Sequence, residues 1–259
     1  MAHRFTRALV RPLTDNFADG LTSVTLGAPD IARAHTQWQA YVDALGQAGL
    51  HVETLPGLPS CPDATFVEDT AVLLPGLAVL TRPGAPSRAP EVDAIRDAVH
   101  RIGYPVREIM TPGTLDGGDV CEHGDHLFIG ISHRTNADGA RQLAAFAAEV
   151  GMTASTIDIR DRTDILHLKS GLVSIDDALL VAIPGLATHS AIAGLPVLVA
   201  DEREAYAANC VRVNDRVLVA DGFPVLCSAL SDRGFEPLPL AMSEFQKMDG
   251  GLSCLSLRF

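Results

Sequence analysis

Short apolar runs recur in pairs along the chain, and a stretch with helical periodicity follows each pair. The paired runs read as β-hairpins because both are short and a turn separates them. They occupy residues 66–74 with 78–81, 118–120 with 126–130, 170–174 with 178–182, and 209–213 with 216–220. The helical stretches cover residues 32–45, 90–101, 138–150, 187–192 and 225–232.

The hairpins follow one another at intervals of about 40 to 50 residues, the size of a ββαβ unit or a propeller blade. A strand at residues 7–11 is available to pair with an alternating segment at 255–257, which supplies a fifth unit from the two ends of the chain. No linker-like or low-complexity tract interrupts the pattern. We therefore predict an α/β protein in which residues 1–259 form a single catalytic domain of repeated modules. An open α/β sheet is the alternative.

Composition narrows the class of partner. The chain has 259 residues, 47% of them hydrophobic, and no apolar run reaches the roughly 18 residues of a membrane span. Its five cysteines are scattered without a CxxC pair, which supports neither a disulfide framework nor a zinc ribbon. The formal charge of −12 disfavours nucleic acid and anionic membranes as partners and is compatible with a cationic substrate. We predict a cytoplasmic protein.

Three residues are candidates for catalysis. Cys254 follows a glycine pair at the entrance of the last strand, where a thiol can face a pocket. His167 alternates with leucines, and this alternation predicts a strand that presents His167 and Lys169 on one face. Asp116 precedes Gly117 and Gly118, whose lack of side chains allows close approach to a ligand.

Charged residues near other strand ends suggest a binding site. Asp63, Glu68 and Asp69 lie within seven residues and could surround a cation. Arg88 and Arg134 follow hairpins, where an arginine fork can bind a carboxylate. A thiol, an imidazole and carboxylates beside arginines suit nucleophilic attack on the guanidinium of a small amino acid.

Together these segments resemble dimethylarginine dimethylaminohydrolases, members of the guanidino-group-modifying (pentein) superfamily. The resemblance extends from about Arg11 to Phe259, with eight motifs in the family's order. The motifs are residues 63–69, 81–88, 115–120, 134–136, 167–170, 207–210, 242–244 and 249–254. It implies the pentein fold, an α/β-propeller of five ββαβ modules, which agrees with the repeat pattern.

The resemblance also implies roles for individual residues. Cys254 would be the nucleophile, His167 the general acid and base, and Asp116 the carboxylate that orients His167. The implied substrate ligands are Glu68 and Asp69 for the guanidinium, Asp63 for the α-amino group, Arg88 and Arg134 for the α-carboxylate, Leu21 as the lid residue, Phe66, and the backbone carbonyl of Met248.

The implied reaction is hydrolysis of Nω-methylated arginines to citrulline and an amine through a covalent thiouronium, with no metal or organic cofactor. The small-molecule substrate would be bound by a monomer or a homodimer.

Three alternatives to this function remain: arginine deiminase activity, hydrolysis of another guanidino or ureido compound, and a non-catalytic arginine-derivative binding protein. An amidinotransferase would need an acceptor site that is not evident. A zinc hydrolase using His167 with Asp63, Glu68 and Asp69 is disfavoured because the usual zinc-ligand spacing is missing.

Overall fold

The strands form three-stranded sheets that repeat one pattern. The structure is a computed structural model and describes residues 4–259. In chain order the strands are β1 (Arg7–Val10), β2 (His51–Thr54), β3 (Ala71–Leu74), β4 (Leu77–Leu80), β5 (Val106–Glu108), β6 (Val120–His123), β7 (His126–Ile131), β8 (Thr153–Asp158), β9 (Leu172–Asp176), β10 (Leu179–Ala182), β11 (Val197–Val199), β12 (Val211–Val213), β13 (Arg216–Ala220), β14 (Glu236–Leu240) and β15 (Leu257–Arg258).

Helices connect the second and third strands of each sheet. The α-helices are α1 (Ile31–Gln47), α2 (Ala89–Ile102), α3 (Ala137–Glu149), α4 (Pro184–Ala187), α5 (Pro224–Ser231) and α6 (Ser243–Gln246). In the first complete module, β3 and β4 form an antiparallel hairpin and α2 crosses over to β5, which pairs parallel with β4. The same order recurs in β6–β7–α3–β8, β9–β10–α4–β11 and β12–β13–α5–β14.

The fifth module joins the two ends of the described chain. Strand β15 pairs antiparallel with β1, with Leu9 opposite Leu257, and β1 pairs parallel with β2. The predicted pairing of the N-terminal and C-terminal strands is therefore confirmed. Within residues 4–259 the sheets number five, and the arrangement is the predicted α/β-propeller of five ββαβ modules.

Local signals place the ends of the long helices. The Asp30 side chain accepts a hydrogen bond from the Arg33 amide at the start of α1, and Asn136 does the same for Gly139 at the start of α3. Helix α2 ends at Gly103, whose φ of 89° lies in the left-handed region that glycine adopts without steric cost. The helices then pack their apolar faces against their own sheets, as Ile95 of α2 does in the cluster that contains Leu80.

The entrance to the first strand of each module differs from the prediction. Short 3-10 helices, which we call the central turns, occupy these positions: Val67–Thr70, Gly117–Asp119, Leu168–Ser170, Glu202–Ala208 and Ser253–Leu255. The prediction placed residues 67–70, 118–119, 170 and 255 in strands. The turn at Val67–Thr70 contacts those at Ser253–Leu255 and Gly117–Asp119, and the latter contacts Leu168–Ser170. The chemically interesting residues lie on or beside these turns. No helix among residues 4–259 is long and apolar enough to cross a membrane.

Candidate active site

The central turns bring Cys254 and His167 to the same small cavity. Its volume is about 20 Å³, so it has room for roughly one water molecule. Nine of the eleven residues predicted for the site line it, namely Leu21, Asp63, Phe66, Asp69, Arg88, Arg134, His167, Met248 and Cys254. A substrate can therefore enter only if part of the wall moves.

The His167 imidazole is held from behind by a carboxylate. Its Nε2 lies 3.1 Å from Oδ2 of Asp116, which is fully buried. The other carboxylate oxygen of Asp116 accepts a hydrogen bond of 2.8 Å from the Gly84 amide. Asp116 is therefore fixed on both sides and can orient the imidazole, the role that the sequence predicted for it.

Carboxylates around His167 favour its protonated form. Burial alone would lower the pKa of His167, but Asp69, Asp119 and Asp116 outweigh burial and raise the pKa to about 9. At neutral pH the ring is therefore an imidazolium, able to donate a proton. Asp119 acts without touching the ring, because its carboxylate is bonded to the Leu168 amide at 2.9 Å and to Ser132 Oγ at 2.6 Å.

The thiol of Cys254 is neutral in the absence of substrate. Burial, followed by the negative charges of Glu68 and Asp69, raises its pKa to about 12. A cation placed in the cavity would lower this pKa again. The site is thus arranged so that a positively charged ligand generates its own nucleophile.

Asp69 carries the anionic charge that faces the cavity. Its carboxylate accepts hydrogen bonds from Arg88 Nη1 at 2.5 Å and from the Gly118 amide at 2.8 Å. Although burial acts to raise it, the pKa of Asp69 falls to about 2 because of His167 and Arg88. Asp69 is therefore ionised and available to a guanidinium.

Comparison with known proteins identifies similar chains. The chain is 38% identical to a dimethylarginine dimethylaminohydrolase from Pseudomonas aeruginosa, over 98% of this chain and 100% of the relative. It is 36% identical to one from Streptomyces coelicolor, over 97% and 96% of the two chains. A cysteine-to-serine mutant of the Pseudomonas aeruginosa enzyme, solved with citrulline, superposes with a TM-score of 0.95 at 38% identity and covers 99% of this chain and 100% of that one. The chain belongs to the dimethylarginine dimethylaminohydrolase family. No protein-family model matches the sequence.

Within this family framework, the two predicted arginine ligands differ in their surroundings. Arg88 is buried and already bonded: its Nε and Nη2 contact the Glu91 carboxylate, Nη2 also reaches the Phe66 carbonyl at 3.0 Å, and Nη1 binds Asp69. One N–H of Nη1 is left, so Arg88 cannot offer a two-pronged fork. Among the described residues the Arg134 side chain has no hydrogen-bond partner, and it is free to bind a carboxylate.

Asp63 is tied to the segment that carries Leu21. The Leu21 amide donates to both carboxylate oxygens of Asp63, at 3.1 and 3.2 Å. Gly20 makes this approach possible, because a Cβ there would lie 2.4 Å from Asp63 Oδ1. The same segment is held further along by Asp249, whose carboxylate accepts from Ser23 Oγ at 3.0 Å. Leu21, the residue predicted to belong to a lid, lines the cavity.

Glu68, which was expected to bind the guanidinium, is not among the residues that line the catalytic cavity. Its carboxylate bonds to Lys169, Ser253 and Arg258 and borders a separate cavity of about 310 Å³. The strand predicted for residues 66–69 is replaced by a 3-10 turn, in which consecutive side chains point about 120° apart. For the same reason His167 and Lys169 face different cavities, contrary to the predicted alternation.

Among the described residues, one group of side chains could offer ligand atoms to a metal ion. Ligand atoms of Asp69, Asp116 and His167 lie within 4.8 Å of one another. All three groups already contact other protein groups: Asp69 accepts from Arg88 and the Gly118 amide, and Asp116 accepts from the Gly84 amide and contacts His167. The set considered for a zinc hydrolase does not converge, because Glu68 faces the other cavity.

Sequence reasoning missed several residues that hold the site. Glu91 pairs with Arg88 at helical i,i+3 spacing, a signal that was available in the sequence. Asp119 is part of the same Asp-Gly-Gly-Asp segment as Asp116 but had no assigned role. Asn209 and Ser253 lie in motifs 207–210 and 249–254, but neither had an assigned role, because their contact depends on the packing of the central turns.

Proposed function

We propose that this protein hydrolyses Nω-methylated arginines, such as asymmetric dimethylarginine and monomethylarginine, to citrulline and the corresponding methylamine. The observation that carries the proposal is the joint placement of a neutral thiol, an imidazolium and an ionised carboxylate around one cavity. This set of charges fits a guanidinium whose carbon is to be attacked by sulfur.

The substrate ligands follow from the free groups in the cavity. Asp69 would hold the guanidinium next to Cys254, and Arg134 would bind the α-carboxylate. Asp63 and the Met248 carbonyl would take the α-amino group, with Leu21 and Phe66 enclosing the side chain. Arg88 would contribute its charge and one N–H, while most of its donors keep Asp69 and Glu91 in place.

The reaction starts with the thiol. A bound guanidinium lowers the pKa of Cys254, its proton leaves to solvent, and the thiolate attacks the guanidinium carbon. His167 then donates its proton to the departing amine nitrogen, the carbon–nitrogen bond breaks, and an S-alkylthiouronium remains on Cys254.

Hydrolysis completes the cycle. Neutral His167 takes a proton from water, and the resulting hydroxide attacks the thiouronium carbon. The carbon–sulfur bond breaks, the hydroxyl proton of the adduct passes to the Cys254 sulfur, and citrulline leaves with His167 again an imidazolium. Asp116 holds the ring in place through both steps because its hydrogen bond to Nε2 persists.

An NMR assay tests the proposal directly. Purified protein is incubated with asymmetric dimethylarginine, monomethylarginine or arginine, with Cys254→Ser as the control. We expect citrulline and dimethylamine or methylamine with the wild type and none with the variant. Turnover of arginine alone, with ammonia released, would instead support a deiminase. Equal turnover by wild type and Cys254→Ser would exclude the cysteine mechanism.

A further inference from the structure

Residues of three central turns face two different cavities. Asp69, His167 and Cys254 line the catalytic cavity, whereas Glu68 and Ser253, their immediate neighbours on two of the turns, line the larger one. The turns therefore form the wall between the cavities. Groups on the far side of this wall are placed to control the catalytic side chains without touching a substrate.

Glu68 connects the two segments that carry the nucleophile and the acid. One carboxylate oxygen accepts a hydrogen bond of 2.7 Å from Ser253 Oγ, next to Cys254. The other pairs with Lys169 Nζ at 2.7 Å, two residues after His167. Glu68 is buried, with 4% of its surface exposed, so these bonds are shielded from water.

Asn209 joins the same two segments a second time. Its Nδ2 donates to the Lys169 carbonyl at 2.8 Å and to Ser253 Oγ at 3.0 Å, and its Oδ1 accepts from the Ser253 amide at 3.0 Å. Gly251 permits this approach, because a Cβ there would lie 2.4 Å from Asn209 Oδ1.

We propose that Glu68, supported by Asn209, is a positioning residue that fixes the Cys254 turn relative to the His167 turn from the cavity opposite the active site. The proposal rests on the proposed function only where turnover is measured.

Charged groups on the far side of the wall also affect the pKa of Cys254. After burial, Glu68 is the largest contribution that raises the pKa of the Cys254 thiol, and Lys169 lowers it. Neutralising Glu68 removes the raising charge and leaves the ammonium of Lys169 unpaired. Both changes favour the thiolate, so thiol reactivity should begin at lower pH.

Glu68→Gln tests the proposal because it keeps the side-chain shape and an acceptor for Ser253. Glu244→Gln is the matched control: Glu244 is also buried and also pairs with a lysine, Lys247 at 2.6 Å, but borders neither cavity. For each variant we would measure kcat, the Kd of citrulline, and the pH dependence of Cys254 alkylation by iodoacetamide.

For Glu68→Gln we expect kcat to fall by about 10-fold or more, since misplaced reacting groups cost that much. The Kd of citrulline should change by less than about threefold, the alkylation profile should move to lower pH, and Glu244→Gln should match the wild type in all three. A citrulline Kd weakened by about 10-fold or more would make Glu68 a ligand and overturn the proposal. An unchanged kcat or an unshifted alkylation profile would overturn it as well.

Ser253→Ala provides the second variant if Glu68→Gln does not fold. It removes the hydroxyl shared by Glu68 and Asn209 and should lower kcat with citrulline affinity retained; a wild-type kcat would contradict the proposal. The alkylation measurement needs no substrate. It therefore tests the coupling even if methylarginines are not hydrolysed.

Discussion

Gly118 controls how closely His167 and Asp69 approach each other. A Cβ at this position would lie 2.8 Å from Cγ and Nδ1 of His167 and 2.9 Å from Oδ1 of Asp69. Carbon atoms in contact are ordinarily about 3.5–4.0 Å apart, so in Gly118→Ala the ring must retreat by roughly 0.7–1.2 Å. The hydrogen bond of 3.1 Å from Nε2 to Asp116 cannot survive such a shift unchanged.

Misplacement of a catalytic group by about 1 Å can cost about 100-fold in rate, so we expect kcat/KM of Gly118→Ala to fall by about 10- to 100-fold. Overpacking should also destabilise the protein by about 1–3 kcal/mol. Steady-state kinetics with dimethylarginine and urea unfolding measure the two effects.

Gly46 supplies the control for this substitution. It lies in α1, and a Cβ there would meet nothing within 4 Å. Gly46→Ala should therefore leave kcat/KM unchanged and stabilise the helix by about 0.5–1 kcal/mol. If Gly118→Ala kept wild-type kcat/KM, the close packing of Gly118 against His167 would have no role in catalysis.

Two further predictions concern stability and binding. Because the pKa of His167 is raised from 6.5 to about 9, its contribution to the free energy of unfolding is complete below pH 6.5 and is lost as pH rises through 9, by up to about 3 kcal/mol. Urea unfolding between these pH values should show that the free energy of unfolding declines less steeply for His167→Gln than for the wild type. Parallel curves would contradict this prediction. Arg88→Ala should destabilise the protein by about 3–5 kcal/mol because it leaves Asp69 and Glu91 buried without their cation. Arg134→Ala should mainly raise KM. Equal unfolding midpoints for the two variants would show that the Arg88 ion pairs do not stabilise the fold.

The repeat could be predicted because the hydrophobic pattern is local. Hairpins and helices of about the right length are visible in the sequence, and the ββαβ spacing follows from them. The pairing of β1 with β15 was predictable for a different reason: each is an apolar segment left without a hairpin partner.

The direction of individual side chains could not be predicted in the same way. Strand alternation suggested that His167 and Lys169 share a face, and that Glu68 and Asp69 together surround a cation. The first inference assumed a strand period of two and the second assumed that closeness in sequence means a shared site, whereas the residues lie in or beside 3-10 turns. Such short turns are selected by contacts between modules, which a single sequence does not display. Candidate residues were therefore identified more reliably than the cavity that each one faces.

The pairing of β1 with β15, which closes the propeller, bears on the stage of folding at which the catalytic residues come together. The paired residues Ala8 and Arg258 lie 250 positions apart, so the loop that this contact closes is long and its entropic cost is large. Local hairpins need no such closure and can form earlier. Cys254 lies immediately before β15, on a turn that packs against Val67–Thr70. We therefore expect the thiol of Cys254 to become buried during refolding at the same time as β15 pairs with β1.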